Sequence, residues 1–254
     1  MTGIAGETQA AFVVAGNAAW KVHCHETVTS TSDLARGLPA WSAVFAEQQS
    51  GGRGRYGRRF ASGPGGLWLT AIVPAPEGSA HWNGFSLSVG HSLLTFLQRL
   101  GVPGARLRWP NDLMANNRKL AGILIEETGR GTLAIGLGMN ISNRPWEEDP
   151  SLECIAVRLA DLVARPPDAA ELIGPVLDAI ADAHEVHARA GLAPAVRALN
   201  EEWIPRAVRL ALHGGEVLHG VFEGLDPDGN LQMTNSNGSH TIVPHHHVRQ
   251  LTEI

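Results

Sequence analysis

The sequence predicts an α+β protein: a mixed central sheet with helices on one side, followed by a small C-terminal β-barrel. Up to about residue 205, short apolar strands alternate with helical periodicity, which is clearest over residues 86–100. After Pro205 the pattern changes to short alternating strands, with a strong turn signal over residues 226–230. We therefore expect one domain over residues 1–205 and a second over residues 206–254.

Composition and charge exclude several classes of protein. The chain has 254 residues, of which 44% are hydrophobic and 18% charged, as in an ordinary globular protein with a sizeable core. Its formal net charge is −5, whereas a general nucleic-acid binder is usually basic. The chain has no apolar run long enough to span a bilayer and no signal-peptide pattern, and its two cysteines cannot form a disulfide framework. We expect a cytoplasmic protein that binds neither nucleic acid nor membrane.

The sequence predicts a short strand at residues 11–14 and another at residues 43–47, and a basic loop follows the second. Residues 51–59, called the arginine loop below, read GGRGRYGRR and contain four glycines and four arginines. Glycine allows close approach of the backbone to a ligand, and arginine binds phosphate and carboxylate oxygens in pairs. The glycine spacing matches the dinucleotide-binding fingerprint, but residues 58–66 cannot open the helix that this fingerprint requires. The loop therefore predicts closure over a small anion.

The hydroxyl-rich residues 27–32 precede Leu34, where a short helix is expected to begin. Serine and threonine at this place are typical of a helix cap. They are equally suited to contact a ligand. Both interpretations stay open on local evidence.

Strand and helix signals continue through the first domain. Residues 67–73 predict a buried strand, and residues 86–100 predict a helix packed on the sheet. A short strand at 106–109, a turn at 110–112 and an asparagine-rich hairpin tip precede a strand at 120–126. Residues 154–163, 168–189 and 194–203 are predicted to be helical.

The strand predicted at residues 132–140 is the most informative one about function. Leu133, Ile135, Leu137 and Met139 point to one face, and Ala134, Gly136, Gly138 and Asn140 point to the other. The first face belongs in a core. The second is so short of side chains that a flat ligand could lie on the sheet, although close helix packing against the glycines is the alternative.

No metal site is predicted from the histidines. Neighbouring side chains on a strand point to opposite faces, so residues 23–25 cannot converge on one ion. The three histidines at 245–247 have the same limitation, and no cysteine or carboxylate has a matching spacing.

Five segments stand out by their order and separation, although each is weak alone. They are Ser30-Thr31-Ser32, residues 47–58, Arg108-Trp109-Pro110-Asn111-Asp112, residues 118–124 and Gly136-Leu137-Gly138-Met139-Asn140. Taken together, they resemble the biotin protein ligases, and the small C-terminal barrel, SH3-like in this family, fits as well. The resemblance covers residues 25–254, and we expect the chain before it to be too short for the N-terminal DNA-binding domain of the regulatory members.

The resemblance implies a two-step ligase reaction. ATP, with Mg²⁺, and biotin would give biotinyl-5′-AMP and pyrophosphate, and a lysine of a biotin carboxyl carrier protein domain would then attack the mixed anhydride. The first step brings a carboxylate against a phosphate, so the site must neutralise two anions that repel each other. No covalent enzyme intermediate and no tightly bound metal are needed.

The resemblance also implies a role for each matching residue. Lys119, Arg53 and Arg55 would be catalytic, with Lys119 holding both the biotin carboxylate and the adenylate phosphate. The residues expected at biotin are Ser30, Thr31, Ser32, Gln49, Gly52, Arg53, Lys119, Gly122, Gly136 and Gly138. Those expected at the nucleotide are Arg55, Arg58, Phe60, Asn111, Asp112, Asn140 and Arg249.

The chain departs from the family pattern in three places. The family usually has asparagine where Ser32 stands and lysine where Arg108 stands. Residues 141–166 follow no recognisable family pattern. The first departure could weaken a hydrogen bond to the biotin ring, and the second keeps the charge.

Three other functions fit the residues less well. A lipoate or octanoate ligase shares the fold, but Pro64 interrupts the Arg-Arg-x-Ser-Gly-Gly-Gly run of that family, and Gln49 favours biotin. A non-enzymatic nucleic-acid module would need a more basic chain and stacking aromatic residues in the barrel. A ligand-binding protein without catalysis is not supported, because Lys119 and all the loop arginines are present.

Overall fold

Two sheets organise the protein, whose structure here is a computed structural model describing residues 9–15, 18–76, 79–129 and 131–254. The first sheet is mixed and has the strand order β1-β2-β3-β4-β8-β7-β6-β5. β2 and β3 run parallel, and the other neighbours are antiparallel. Its strands are β1 (Gln9–Ala15), β2 (Ala18–Val28), β3 (Ser42–Gln49), β4 (Gly66–Pro74), β5 (Arg106–Arg108), β6 (Asp112–Ala115), β7 (Arg118–Glu127) and β8 (Thr132–Asn140).

Three helices cover one face of this sheet, and a short helix packs on the other face. The α-helices are α1 (Thr31–Ala35), α2 (Phe85–Arg99), α3 (Pro145–Glu148), α4 (Ala169–Ala190) and α5 (Ala193–Glu201). α2 and α4 pack on the sheet and on each other, and α5 packs beside them, forming the main hydrophobic core. α1 packs on the opposite face against β3, β4 and β8, where Ala35, Val44, Ile72 and Ala134 form a small separate cluster.

The predicted alternation of β8 is confirmed. Leu133, Ile135, Leu137 and Met139 belong to the main core under the helices, each 4% exposed or less. The side chains of the intervening residues point to the face that carries α1. Because α1 is only five residues long, it leaves the glycine end of that face uncovered by helix.

The C-terminal sheet is antiparallel and has five strands, as predicted. Its order is β12-β11-β10-β9-β13, which is consistent with an SH3-like domain, although no pairing between described residues joins β12 to β13. Its strands are β9 (Arg206–Leu212), β10 (Val217–Leu225), β11 (Leu231–Asn235), β12 (His240–Val243) and β13 (Val248–Glu253). The division into two domains after residue 205 stays a proposal.

Specific contacts join the C-terminal sheet to the edge of the first sheet. Arg106 on β5 forms a doubly hydrogen-bonded ion pair with Glu253 on β13. Trp109 is buried, and its indole N–H donates to the carbonyl of Gly229 at 2.9 Å. These contacts place β13 beside the turn that joins β5 to β6.

A histidine cluster lies in the helical layer. The ring of Trp82 stacks on both His184 and His187, with centroids 5.0 and 5.3 Å away. The Nε2–H of His187 donates to the carbonyl of His81, and its Nδ1 accepts from the hydroxyl of Ser88 at 2.7 Å. Burial lowers the pKa of both His184 and His187, so both rings are held neutral near pH 7.

Two expectations about local structure were wrong. The predicted helix at residues 154–163 is absent; in its place are irregular chain and a 3-10 turn at Leu159–Asp161. The strand predicted at residues 11–14 lies within β1, whereas the long strand β2 was missed, although residues 20–25 alternate between apolar and polar side chains. His23 and His25 do lie on a strand, β2, which is the assumption on which no metal site was predicted at residues 23–25.

In the described part of the chain, none of the helices has the length and apolar character required to cross a membrane.

Candidate active site

A cavity of about 710 Å³ opens on the face of the first sheet that the helices leave uncovered. Its walls come from the β2–α1 junction, the arginine loop, strands β4 to β8, the segment after β8 and strand β13. All but one of the predicted site residues line it. They are Ser30, Thr31, Ser32, Gln49, Arg53, Arg55, Arg58, Phe60, Asn111, Asp112, Lys119, Gly122, Gly136, Gly138, Asn140 and Arg249.

Gly52 is the exception, because it lies behind the cavity wall. A Cβ there would come 2.4 Å from the Ser62 hydroxyl and 2.7 Å from the Phe60 carbonyl. The structure therefore explains this glycine by close packing of the arginine loop on the chain that follows it.

A network of hydroxyl and amide groups forms one end of the cavity. The Gln49 side-chain oxygen accepts from the backbone N–H of Thr31 at 2.8 Å and from its hydroxyl at 3.1 Å. The Gln49 amide donates to Ser62, and Thr70 lies within hydrogen-bonding distance of both Thr31 and Ser32. Ser30 is the N-cap residue of α1, but its side chain makes no capping bond. Thr31 and Ser32 both line the cavity, which favours the ligand interpretation for them.

The glycines of β7 and β8 form a floor on which the ring of Phe60 rests. A Cβ at Gly138 would lie 2.7 Å from Cε1 of Phe60, and one at Gly122 would lie 3.3 Å from Cε2. At Gly136 the nearest atom would be the Ser32 hydroxyl, at 3.4 Å. At Gly122 and Gly138 the bare face therefore belongs to the cavity, whereas Gly136 also lies beside helix α1.

Lys119 lies beside this floor and forms an ion pair with Asp112. Its Nζ is 2.7 Å from Oδ1 of Asp112 and 5.3 Å from the centroid of the Phe60 ring. Arg108 binds the other carboxylate oxygen at 2.7 Å. Burial alone raises the pKa of the Asp112 carboxyl, but the two cations outweigh it, and the pKa lies below its usual value. Asp112 is thus ionised near neutral pH and holds both cations at the cavity.

The four arginines of the loop fall into two pairs by their partners. Arg53 forms a bidentate ion pair with Asp33, at 2.9 and 2.5 Å, and Arg59 pairs with Glu148 at 3.0 Å. Arg55 and Arg58 instead donate to backbone carbonyls of the C-terminal sheet region, at 3.1 Å each. Among the described residues, no carboxylate lies within ion-pair distance of Arg55 or Arg58, so their charge stays available to an anion.

Two predicted nucleotide residues already hydrogen-bond to the protein backbone. The Asn111 amide donates to the carbonyl of Ile123 at 2.7 Å, and its oxygen accepts from Arg55 at 3.4 Å. The Asn140 amide lies 3.4 and 3.5 Å from the carbonyls of Val157 and Lys119. Both contacts order the chain around Lys119.

Sequence reasoning missed a wall of the cavity made by the segment after β8. The backbone of Lys119 bonds to that of Ile155 at 2.7 Å and to that of Val157 at 2.9 Å, so this segment runs beside the lysine. It brings Leu152, Ile155 and Ala156 to the cavity, although residues 141–166 carry no recognisable motif. Thr70 was also missed, but the period-2 alternation of β4 could have identified it, since Trp68, Thr70 and Ile72 share one face.

Comparison with protein families gives matches to both halves of the chain. Residues 23–140 match the Biotin/lipoate A/B protein ligase family, and residues 204–244 match the Biotin protein ligase C terminal domain. Among solved structures, a biotin protein ligase from Aquifex aeolicus in complex with biotin and ATP superposes with a TM-score of 0.80 at 22% identity, covering 92% of this chain and 99% of that one. One from Leishmania major in complex with biotinyl-5-AMP has a TM-score of 0.55, also at 22% identity, covering 87% and 98%. These two likenesses establish the fold.

Curated relatives establish the family. The biotin–[acetyl-CoA-carboxylase] ligase of Paracoccus denitrificans is 32% identical over 82% of this chain and 90% of its own length, and that of Mycobacterium tuberculosis is 32% identical over 79% and 75%. The bifunctional ligase/repressor BirA of Escherichia coli is 34% identical over 77% of this chain, which spans only 62% of that protein. The chain therefore belongs to the biotin protein ligases, within the biotin/lipoate A/B protein ligase family.

Proposed function

We propose that this protein joins biotin to a lysine of a carrier protein in two ATP-dependent steps. In the first, an oxygen of the biotin carboxylate attacks the α-phosphorus of ATP, and pyrophosphate leaves. In the second, the lysine amine attacks the acyl carbon of biotinyl-5′-AMP, an amide forms and AMP leaves. The observation that carries the proposal is one cavity with a bare glycine floor, a hydroxyl–amide end and several cations.

The two ends of the cavity fit the two parts of the acyl substrate. The hydroxyl and amide groups of Ser32, Thr31 and Gln49 suit a ureido ring, which offers both N–H donors and a carbonyl acceptor. The glycine floor of β7 and β8 lets a flat apolar group approach the backbone. An aliphatic chain without a polar ring, such as octanoate, has no donor or acceptor to offer these groups. The cavity therefore favours biotin over the lipoate or octanoate alternative.

The cations of the cavity fit the charge that develops between carboxylate and phosphate. Lys119 lies between the floor and Asp112, where it can approach both the acyl carboxylate and the α-phosphate. Arg55 and Arg58 can exchange a backbone carbonyl for a phosphate oxygen, because a charged acceptor binds a guanidinium more strongly. We assign the catalytic roles to Lys119, Arg53 and Arg55, of which Arg53 would have to exchange its ion pair with Asp33 for one with the substrate.

A magnesium ion would be carried mainly by the nucleotide. Among the described residues, no group of three metal-binding side chains exists. The carboxylates lining the cavity, Asp112 and Glu253, are already paired with basic side chains. Phosphate oxygens and water suit Mg²⁺, and Asp112 would be the protein group to support the ion if it gave up one of these pairings. The ion would neutralise phosphate charge.

We propose a biotin carboxyl carrier protein domain as the acceptor and the cytoplasm as the location. The name of the Paracoccus relative refers to acetyl-CoA carboxylase, which supports a carboxylase as the source of the carrier. Neither cysteine forms a disulfide, which supports a reducing compartment.

The test is biotin-dependent release of pyrophosphate from ATP and Mg²⁺, with lipoate and octanoate as parallel acids. We expect turnover with biotin alone, and a loss of about 10²–10³-fold in Lys119→Ala, because a cation at the developing charge is removed. Lys21→Ala, on β2 away from the cavity, is the matched control and should keep full activity.

Turnover with lipoate or octanoate in place of biotin would move the protein to the other branch of its family. No turnover with any acid would contradict the enzyme proposal. If biotin does support turnover, transfer of biotin to a carrier domain tests the second step, and mass spectrometry of the carrier identifies the modified lysine.

A further inference from the structure

Tyr56 has an unusual position at the tip of the arginine loop. It is the single tyrosine of the chain, and its side chain is 47% exposed. Its φ angle of 61° lies in the left-handed region, which a bulky residue adopts only when surrounding contacts hold it there. The contacts that stabilise this conformation should therefore come from outside the loop.

The C-terminal sheet supplies these contacts. The Tyr56 hydroxyl donates to the carbonyl of Val248 at 3.1 Å and accepts from the Arg55 guanidinium at 2.5 Å. The Tyr56 ring meets the ring of His213 edge-on, with centroids 4.4 Å apart. Val248 begins β13 and His213 follows β9, so one side chain joins the loop to two neighbouring parts of the C-terminal sheet.

The arginines on either side rest on the same surface in a different way. Arg55 donates to the carbonyl of His245, and Arg58 donates to that of Arg249. An incoming phosphate can take over both guanidinium groups, because the carbonyls carry only partial charge. The contacts of Tyr56 with Val248 and His213 involve no ion and can persist while the arginines change partners.

We propose that Tyr56 is a clasp that fastens the arginine loop to the C-terminal sheet and so positions Arg55 and Arg58 over the cavity before the nucleotide enters. Tyr56 is a positioning residue, and this inference rests on the proposed function. Without the clasp, the loop has to be ordered during binding. The apparent affinity for ATP then falls in proportion to the fraction of molecules with a docked loop.

Docking of the loop can be measured without enzyme activity. One tyrosine gives one fluorine resonance when the protein is labelled with 3-fluorotyrosine. In the ligand-free protein we expect this resonance to lie away from its position in urea, and to move towards that position in His213→Ala. His219→Ala removes another exposed histidine of the same sheet and should leave the resonance unchanged. The clasp would be overturned if the resonance of the ligand-free native protein lay at its position in urea, or if His213→Ala did not move it.

Kinetics then separate positioning from chemistry. In biotin-dependent pyrophosphate release we expect Tyr56→Ala to raise the KM for ATP about tenfold, since a hydrogen bond and a ring contact are lost. The kcat should fall by less than about twofold, because saturating ATP orders the loop. Tyr56→Phe keeps the ring contact and should raise KM by about threefold.

A fall in kcat at unchanged KM, or no change in either constant, would contradict a positioning role. If the wild-type protein releases no pyrophosphate at all, the proposed function fails. The fluorine measurement still decides whether the clasp exists.

Discussion

The two faces of the first sheet use the same strands for different purposes. On β8, leucine, isoleucine and methionine enter the core under the helices, while glycines at the intervening positions form the cavity floor. The helix face is filled by large side chains, and the other face is left nearly bare around Phe60. Substitutions at neighbouring positions of β8 should therefore affect different properties, stability on one face and ligand binding on the other, and two substitutions test that separation.

The largest effect is expected on the helix face. Leu137 is 2% exposed and belongs to the main core, so Leu137→Ala should lower the free energy of unfolding by about 3 kcal/mol through lost burial and a cavity. Urea denaturation measures this loss. Biotin affinity at a temperature where the variant stays folded should change little. A large loss of affinity in the folded variant would show that the two faces are coupled.

A smaller effect, on biotin affinity and not on stability, is expected at Gly138, one residue further along β8. In Gly138→Ala the new methyl group would meet the ring of Phe60, which has to move. We expect biotin affinity, measured by calorimetry, to fall about tenfold, in line with modest overpacking. Gly136→Ala is the matched control, because its methyl group would make only ordinary contact with Ser32. Equal losses in both variants would argue against Phe60 as the cause.

A third effect, on stability alone, is expected from pH in the helical layer. Burial lowers the folded-state pKa of His184 and His187 below the reference value of 6.5, so the unfolded chain binds protons first as pH falls. The two histidines therefore have little effect on the free energy of unfolding above pH 6.5. Below that pH they lower it, by at most about 1.4 kcal/mol per pH unit for each ring.

Denaturation curves between neutral and mildly acidic pH measure this slope. His187→Gln should flatten it, and His219→Gln, on the exposed part of the C-terminal sheet, should leave it unchanged. A slope that is the same in all three proteins would place the titrating groups elsewhere.

Short-range patterns predicted those parts of the fold that depend on them. Alternation along β8 identified both faces, helical spacing located α2 to within a residue at each end, and turn residues separated the C-terminal strands. All but one of the site residues that were predicted from the family resemblance line the cavity. Assignment of each residue to biotin or nucleotide stays a prediction.

What the sequence could not predict depends on contacts between distant parts of the chain. The segment after β8 is irregular, and its place beside Lys119 depends on a pairing with β7 that no local pattern indicates. Equally, nothing near Gln49 shows that its side-chain oxygen bonds to Thr31, 18 residues earlier. The position of Phe60 on the glycines follows from the path of the arginine loop over the sheet.

The distribution of charge around the cavity also has a kinetic consequence. The chain as a whole is acidic, with a formal charge of −5, yet basic side chains outnumber carboxylates in the described lining of the cavity. Field lines from such a patch concentrate in a concave site, so a nucleotide that diffuses past an otherwise repelling surface is drawn to one opening. The rate of encounter with ATP, more than that with biotin, should therefore depend on the ionic strength of the medium, because the nucleotide carries the larger charge.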